Sequence, residues 1–312
     1  MSAKILCIVR CGAKGIQNAW IAKARAHIDV ALSWYEEGPA GGSPAEHFCV
    51  GPKWRGVADY FNKNPGQLEE FSHFWFAEDD LYIPEETVVI AKRLAEEPHF
   101  KLMAPTLGGG SFYSLYIALS NRSFLFRIVD FVEIMAPIFS KDLLKLCLPT
   151  FNDNHSGWGY EWYWQRAVEN LGGLTAALDC APMFHTRPVG GGTLYAGAPA
   201  PKEEMHQFLK KHDLQHRLTN FAGAQSRAGG KTDLVWGAEL VERAVEGYRY
   251  LLALAEGGKH YRLSVEAFVA NCAQDDDPRK NAVWESVRSI PNFSASLDAF
   301  GAFVHDLRSP RR

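Results

Sequence analysis

Short apolar runs alternate with amphipathic stretches through roughly the first 190 residues of the chain. Runs of strand length predict strands at residues 5–9, 28–35, 46–50, 74–77, 102–105 and 174–180, with a longer apolar stretch over 126–139. Periods near 3.6 predict helices at residues 16–26, 53–62, 65–71, 84–97, 141–148 and 161–171. Strands that alternate with helices are typical of a sheet covered by crossover helices. We therefore expect an α/β domain over residues 1–195.

The pattern changes beyond residue 201, where the apolar positions keep a helical period. The clearest predicted helix begins after Thr232-Asp233, which we expect to cap it, and ends at Gly257-Gly258. Glycines at 190–192 and an Ala/Pro run at 196–201 predict a linker before this region. The second region, residues 201–312, is therefore expected to be α-helical.

Composition and charge restrict the class of protein. With 312 residues, 47% of them hydrophobic, the chain can bury a full core, and its net charge of −3 disfavours a nucleic-acid backbone binder. Six cysteines without a Cys-x-x-Cys pair are typical of reduced cytosolic thiols. No apolar run reaches the roughly 18 residues of a transmembrane helix, and the first strand is too short for an export signal. We expect a cytoplasmic protein, with any membrane contact peripheral and at the inner membrane face.

One predicted strand ends in three consecutive carboxylates, in the sequence Phe-Trp-Phe-Ala-Glu-Asp-Asp at residues 74–80. Adjacent carboxylates repel one another, and a divalent cation that bridges them to a phosphate offsets the repulsion. Because side chains alternate along an extended segment, Glu78 and Asp80 face the same side, whereas Asp79 points away or acts through water. The alternative is a solvated acidic turn before Pro84.

A histidine and an arginine follow the last predicted strand of the first region. His185 can supply the nitrogen ligand of a Mn²⁺-type site. Arg187 favours a nearby anion, since guanidinium binds phosphate oxygens in bidentate fashion. Taken alone, His185 is better explained as a structural histidine.

The helix predicted over residues 161–171 begins with Glu161, directly after Trp158-Gly159-Tyr160. A helix N-terminus lowers the pKa of a carboxylate, so we expect Glu161 to be ionised at neutral pH and able to accept a proton. Trp158 and Tyr160 would form a wall on which a sugar stacks. The alternative is that Glu161 only complements the helix dipole and that the aromatic side chains belong to the core.

Three further charged residues are weaker candidates. Arg10, at the end of the first strand, is either a contact for a nucleotide base or ribose or a surface arginine. Lys53 either reaches a phosphate or is solvated. Glu133 lies in an apolar stretch, where a carboxylate needs a partner, either an acceptor molecule or an arginine such as Arg127. Residues 153–155 are expected to build a turn rather than chelate a metal.

These motifs resemble known families. Glu78-Asp79-Asp80 resembles the Asp-x-Asp metal motif of GT-A glycosyltransferases, and His185 falls where their carboxy-terminal metal-binding histidine falls. Residues 158–161 are similar to the Trp-Gly-x-Glu/Asp acceptor motif of the same superfold. The ordered motifs at 132–140, 152–159 and 179–188 more closely resemble the uncharacterised family called domain of unknown function 707. The resemblance spans roughly residues 1–195.

The resemblance implies a GT-A-like (Rossmann-like) α/β fold with a mainly parallel sheet, followed by the helical region. It implies a Mn²⁺ or Mg²⁺ ion held by Asp80 and His185, with Glu78 on the metal or the ribose. It also implies Glu161 as the catalytic base. Our further expected contacts are Arg10, Lys53, Asp79 and Arg187 for the donor and its phosphates, and Trp158, Gly159, Tyr160 and Glu133 for the acceptor. The chain departs from the motifs by carrying Glu at 78 and at 161 where Asp is usual.

The expected activity is transfer of a sugar from a nucleotide diphosphate-sugar, by default a UDP-sugar, to a hydroxyl of a glycan or glycolipid acceptor, with inversion at the anomeric carbon. The helical region would cover the acceptor side or form a homodimer contact. Two alternatives stay open: a non-catalytic module that binds glycan or nucleotide, and a metal-dependent hydrolase of nucleotide sugars.

Overall fold

The computed structural model of the protein describes residues 2–36, 46–188, 199–227, 231–253, 265–267, 270 and 278–309. The glycines at 190–192, where a linker is predicted, and Gly257-Gly258, where a helix end is predicted, lie outside the described residues. Most of the described chain belongs to one large sheet and the helices that cover its two faces.

Eleven strands are described, and ten of them form the large sheet. They are β1 (Ile5–Cys11), β2 (Asp29–Trp34), β3 (His47–Phe48), β4 (His73–Glu78), β5 (Leu81–Tyr82), β6 (Phe100–Leu107), β7 (Phe126–Val129), β8 (Ile138–Ser140), β9 (Leu174–His185), β10 (Asn220–Ser226) and β11 (Thr232–Val235). The order across the sheet is β11-β10-β7-β9-β6-β8-β4-β1-β2-β3, and β5 pairs separately with β9.

The longest pairings in the sheet are parallel. Strand β1 pairs in parallel with β2 and β4, and β6 pairs in parallel with β9. The short strand β8 lies antiparallel between β4 and β6, so that β4, β6 and β9 all run in the same direction. The carboxyl ends of β4 and β9 therefore meet at one edge of the sheet, which is where ligands bind in open α/β sheets. The predicted α/β class is confirmed.

Helices cover both faces of the sheet. They are α1 (Ile21–Ala24), α2 (Lys53–Lys63), α3 (Gln67–Glu70), α4 (Glu85–Leu94), α5 (Lys141–Cys147), α6 (Tyr160–Asn170), α7 (Pro201–Lys211), α8 (Gly237–Leu252), α9 (Pro278–Ser289) and α10 (Phe293–Arg308). One core lies between the sheet and α1, α4, α8, α9 and α10, and the other lies between the opposite face and α2, α5, α6 and α7. Among the described helices, none combines the length and apolarity that crossing a bilayer requires.

Aromatic packing fixes α2 and α6 against the sheet. The Trp54 ring of α2 is buried and lies 4.6 Å from Phe151 and 4.9 Å from Trp164 of α6, measured between ring centroids. It also meets Phe76 of β4 edge-on at 5.7 Å. Aromatic pairs in such offset or edge-to-face arrangements stabilise a core beyond the area they bury. This cluster fixes where Lys53 and the start of α6 lie relative to the end of β4.

The expectation that residues beyond 201 are helical throughout is wrong for 220–235. Strand β10 pairs antiparallel with β7, and β11 pairs with β10, so this segment extends the central sheet. Thr232 is a buried strand residue rather than a helix cap, and its backbone N–H donates to Asp298 of α10 at 2.6 Å. Hydrogen bonding and packing with neighbouring strands decide the structure of this segment, although the spacing of its apolar residues favours a helix. The division into regions at 195–201 stays a prediction. In the structure, residues beyond 201 add two strands to the sheet of the preceding region.

Candidate functional site

Asp80 and His185 lie side by side at the edge where β4 and β9 end. Strand β5 pairs with the end of β9, with Leu81 opposite His185. This pairing brings Asp80 Oδ2 to 3.3 Å from His185 Nε2. The Nδ1 atom of His185 donates to the backbone carbonyl of Phe112 at 2.9 Å, which orients the ring. Burial lowers the pKa of His185, but the Asp80 carboxylate outweighs that effect, so the pKa is raised.

The chemistry of the pair is compatible with a divalent metal ion. Asp80 Oδ1 is buried and has no hydrogen-bond partner, and the Nδ1 contact of His185 leaves Nε2 facing Asp80. A metal-ligating histidine usually donates its other ring N–H in this way. Among the described residues, no group of three or more His, Cys, Asp or Glu side chains is arranged to hold a metal ion. Mg²⁺ commonly takes one or two side-chain ligands and completes its shell with phosphates and water.

Glu78 ends β4 and pairs with a buried lysine. Its Oε1 lies 3.3 Å from Lys53 Nζ. Burial raises the pKa of Glu78, and the neighbouring Asp80 charge acts in the same direction, against the lowering effect of Lys53. Lys53 Nζ also donates to the backbone carbonyls of Ile134 and Met135, the latter at 2.8 Å. Because these partners occupy the three ammonium protons, the expected contact of Lys53 with a phosphate is not supported by its placement.

Asp79 points away from Glu78 and Asp80, as the alternation of side chains predicts. Its Oδ2 accepts hydrogen bonds from the backbone N–H of Gly12 at 2.7 Å and from the Tyr35 hydroxyl at 2.9 Å. Its Oδ1 lies 3.7 Å from Nη1 of Arg187, which also donates to the Lys14 carbonyl through Nη2. Asp79 therefore holds the loop after β1 against the segment after β9.

Arg10 lies in the protein interior, with 2% of its surface exposed. Nη1 donates to the hydroxyl and carbonyl of Ser33, at 2.8 and 3.2 Å, and Nη2 donates to the carbonyls of Cys49 and Gly51 at 2.8 and 2.9 Å. Both expectations, a nucleotide contact and a surface arginine, are contradicted by this placement. Arg10 ties β1 to β2 and to the turn before α2.

Two buried glutamates face the same region. Glu133 lies in the loop between β7 and β8, is 8% exposed, and has one carboxylate oxygen without a partner. Burial raises its pKa to about 7, and the charge of Glu78 contributes. The suggested pairing with Arg127 is wrong, because Arg127 binds Asp179 at 2.8 Å.

Glu161, in the first turn of α6, is 6% exposed. Burial raises its pKa to about 8, and the charge of Glu133 adds to the effect. Its Oε2 accepts a hydrogen bond from the backbone N–H of Gly159 at 2.9 Å. The expectation of a lowered pKa is therefore wrong, because the loss of hydration outweighs the favourable field of the helix N-terminus.

The two aromatic residues at the start of α6, Trp158 and Tyr160, differ in burial. Tyr160 is fully buried, with its ring 4.8 Å from Phe208 of α7, and its hydroxyl accepts the N–H of Asn154 at 3.1 Å. The expectation that Tyr160 stacks on a sugar is wrong, and the alternative of a core residue is correct for it. Trp158 is half-buried. Gly159 has a φ of +102°, which favours glycine.

Residues 153–155, where a turn is predicted, belong to an irregular turn over residues 153–158 before α6. Asn154 Oδ1 accepts the backbone N–H of Gly157 at 2.7 Å, and Asp153 pairs with Lys211 at 2.9 Å. Sequence reasoning missed the residue that holds this turn from outside, Glu204 of α7, whose carboxylate accepts two of the backbone N–H groups. Glu204 carries no local signal, since a glutamate in the first turns of an amphipathic helix is ordinary.

No protein-family model and no curated protein sequence matches the chain. The resemblance to the domain of unknown function 707 therefore stays a prediction.

Several solved structures share remote structural similarity with the chain. TarS of S. aureus, solved as residues 1–349 with UDP-GlcNAc, is 12% identical with a TM-score of 0.42, over 97% of this chain and 90% of that one. GalNAc-T7 with UDP, GalNAc and Mn²⁺ is 6% identical with a TM-score of 0.45, over 93% of this chain and 59% of that one. A glycosyltransferase involved in glycosylation of the major capsid of PBCV-1 is 11% identical with a TM-score of 0.34, over 66% and 98%.

Proposed function

We propose that this protein is a metal-dependent glycosyltransferase with a GT-A-like fold, which moves a sugar from a nucleotide diphosphate-sugar to a hydroxyl of a glycan-type acceptor. The observation that carries the proposal is the 3.3 Å contact between Asp80 Oδ2 and His185 Nε2 at the carboxyl edge of the sheet. A buried Asp80 oxygen without a partner supports it, because such an oxygen requires a proton donor or a cation.

Asp80 and His185 would hold the divalent ion, Mn²⁺ or Mg²⁺, together with the donor diphosphate. When bound, the ion neutralises the negative charge that develops on the leaving diphosphate. Glu78, beside these two residues and paired with Lys53, is placed to accept a hydrogen bond from a ribose hydroxyl or to join the metal shell. Arg187, which is partly exposed, supplies positive charge near the same edge. A UDP-sugar is the default donor.

Glu161 would take the proton of the acceptor hydroxyl. A base is most efficient when its pKa lies near the working pH, and burial places the pKa of Glu161 at about 8. Attack on the face of the sugar opposite to the diphosphate gives inversion. Glu133 would contact acceptor hydroxyls, and the half-buried Trp158 would stack on the acceptor ring.

The region beyond residue 201 would cover the acceptor side. Glu204 of α7 contacts the turn that leads to Trp158, which supports this role over a homodimer contact. A glycan or glycolipid acceptor and a cytoplasmic location, with any membrane contact at the inner face, complete the proposal.

The test is donor turnover with a panel of nucleotide diphosphate-sugars, Mn²⁺ and a mixture of glycan acceptors. We expect one donor to release its nucleoside diphosphate and to leave its sugar on an acceptor. Asp80→Asn should abolish release, whereas Asp306→Asn, at the exposed Asp–His pair of α10, should behave as wild type.

The products separate the alternatives. Free sugar formed at an undiminished rate in the presence of acceptors would identify a nucleotide-sugar hydrolase. Binding of nucleotide or glycan without any turnover would identify a binding module. Either result contradicts the proposal.

A further inference from the structure

The turn before α6 is held by a carboxylate that comes from another helix. Glu204 of α7 is 7% exposed. Its Oε1 accepts the backbone N–H of His155 at 2.8 Å, and its Oε2 accepts the N–H of Ser156 at 2.7 Å. The two N–H groups belong to consecutive residues, so the carboxylate fixes both the position and the direction of the turn.

Local hydrogen bonds connect the turn to Trp158 and Glu161, the candidate acceptor residues. Asn154 accepts the N–H of Gly157 at 2.7 Å and donates through Nδ2 to the carbonyl of Trp158 at 2.9 Å. The N–H of Gly159 then donates to Glu161 at 2.9 Å. The positions of Trp158 and Glu161 therefore depend on where the turn is held.

Aromatic side chains border the turn on two sides but offer its backbone N–H groups no polar partner. At Gly157, a Cβ atom would overlap the buried ring of Trp54, so the turn lies directly on the aromatic core. On the other side, a Cβ atom at Gly159 would lie 3.2 Å from Phe208 of α7. The turn is thus enclosed between α2 and α7, and the polar contact from α7 selects one position in that space.

We infer that Glu204 is a positioning residue for the acceptor half of the site. It holds the turn so that Trp158 meets the acceptor and Glu161 meets the acceptor hydroxyl. Asp80 and His185 are positioned separately, by the pairing of β5 with β9. The inference rests on the proposed function. It adds that a change at Glu204 can impair transfer to the acceptor while leaving hydrolysis of the donor intact.

Replacement by glutamine tests the role at nearly constant size. A glutamine offers one acceptor oxygen, and its NH₂ group would face a backbone N–H, so one buried donor loses its partner. Helix α7 keeps its apolar contacts through Phe208 and Leu209. Glu203, exposed on the same turn of α7, provides the matched control.

The experiment compares two rates for each variant, with Mn²⁺ and the donor that the wild type uses. The first is donor hydrolysis without acceptor, and the second is kcat/KM for the acceptor in transfer. For Glu204→Gln we expect acceptor kcat/KM to fall by about tenfold or more. We expect donor hydrolysis to stay within about twofold, and Glu203→Gln to match the wild type in both rates.

A conservative variant keeps the test valid if glutamine disturbs folding. Glu204→Asp retains both carboxylate oxygens on a shorter side chain, so it should recover part of the acceptor kcat/KM that the glutamine variant loses. Wild-type transfer by Glu204→Gln, or an equal loss of hydrolysis and transfer in all Glu204 variants, would overturn the inference while the proposed function stands. Absence of transfer by the wild type would overturn both.

Discussion

The ammonium nitrogen of Lys53 lies 3.3 Å from a carboxylate oxygen of Glu78, and the lysine side chain is only 9% exposed. The same ammonium donates to the carbonyls of Ile134 and Met135, in the loop that carries Glu133. One buried cation thus connects the end of β4, where the donor is proposed to bind, with the loop proposed to meet the acceptor.

Replacing this cation should impair both halves of the site together. Lys53→Met keeps the length of the side chain but leaves Glu78 and two carbonyls without their donor. We expect donor hydrolysis and acceptor transfer both to fall by about tenfold or more, in contrast to the selective loss at Glu204. Steady-state kinetics measure both rates, and Lys63→Met, at the exposed end of the same helix, is the control. Normal rates in Lys53→Met would show that the connection has no functional role.

The buried Glu161 should make stability depend on pH. Burial raises its pKa from 4.5 to about 8, so between these values the folded protein holds a proton that the unfolded chain has lost. The free energy of unfolding should therefore fall as the pH rises through this window. Urea unfolding at about pH 5.5 and about pH 8 measures this change. Between the two pH values, the free energy of unfolding should fall less for Glu161→Gln than for the wild type.

A control from the same helix isolates the effect of burial. Glu169→Gln, at the exposed end of α6, should keep the wild-type pH dependence. If Glu161→Gln and the wild type lose the same free energy of unfolding across this range, Glu161 does not hold its proton in the folded state.

Breaking the buried ion pair of Arg127 and Asp179 should destabilise the fold strongly. Both side chains are fully buried, with Nε of Arg127 2.8 Å from Asp179 Oδ2, and the guanidinium also donates to Asn220 and to the carbonyls of Ile117 and Leu119. Removing one partner leaves a buried charge uncompensated. Urea unfolding of Arg127→Met should show a loss of about 3–5 kcal/mol.

An exposed ion pair gives the comparison. Lys4 and Glu70 also lie within ion-pair distance, but both side chains are about half exposed. Lys4→Met should cost less than about 1 kcal/mol. Equal losses in the two variants would show that burial does not distinguish the pairs.

The turn before α6 should not tolerate a side chain at Gly157. This glycine has a φ of +80°, and a Cβ atom would overlap Trp54. We expect Gly157→Ala to lower the free energy of unfolding by about 2–5 kcal/mol, from backbone strain and overpacking together. Gly172 has a φ of +62°, and a Cβ atom there would lie in open space. Gly172→Ala should therefore lower the free energy of unfolding by only about 1–2 kcal/mol. Similar losses would mean that the turn can move away from Trp54.

The strands and helices up to residue 185 were largely predictable, because buried runs such as Ile5–Cys11 and amphipathic helices such as Lys53–Lys63 carry strong local patterns. The strands Asn220–Ser226 and Thr232–Val235 were not. Neither strand has a long apolar run, and what makes them strands is their pairing in the sheet. Asn220–Ser226 pairs with the distant β7, and Thr232–Val235 pairs with Asn220–Ser226. Such pairing leaves no periodic signal in a single sequence.

One part of the candidate site, the closeness of Asp80 and His185, could be predicted from the order of the motifs along the sequence. The placement of Asp80 near His185 agrees with the order of the motifs. The pKa of Glu161 and the partners of Arg10 and Lys53 could not be read from sequence, because desolvation and hydrogen bonding depend on which distant segments surround each group.

We propose above all that Asp80 and His185 jointly hold a divalent ion that anchors a nucleoside diphosphate. Calorimetric titration of UDP, with Mn²⁺ and again with EDTA, tests it most directly. We expect Mn²⁺ to tighten UDP binding to the wild type and to the control variant His305→Ala. In the presence of Mn²⁺, Asp80→Asn and His185→Ala should each bind UDP more than about tenfold more weakly than the wild type. Binding of UDP that EDTA leaves unchanged, or that survives both substitutions, would contradict the claim.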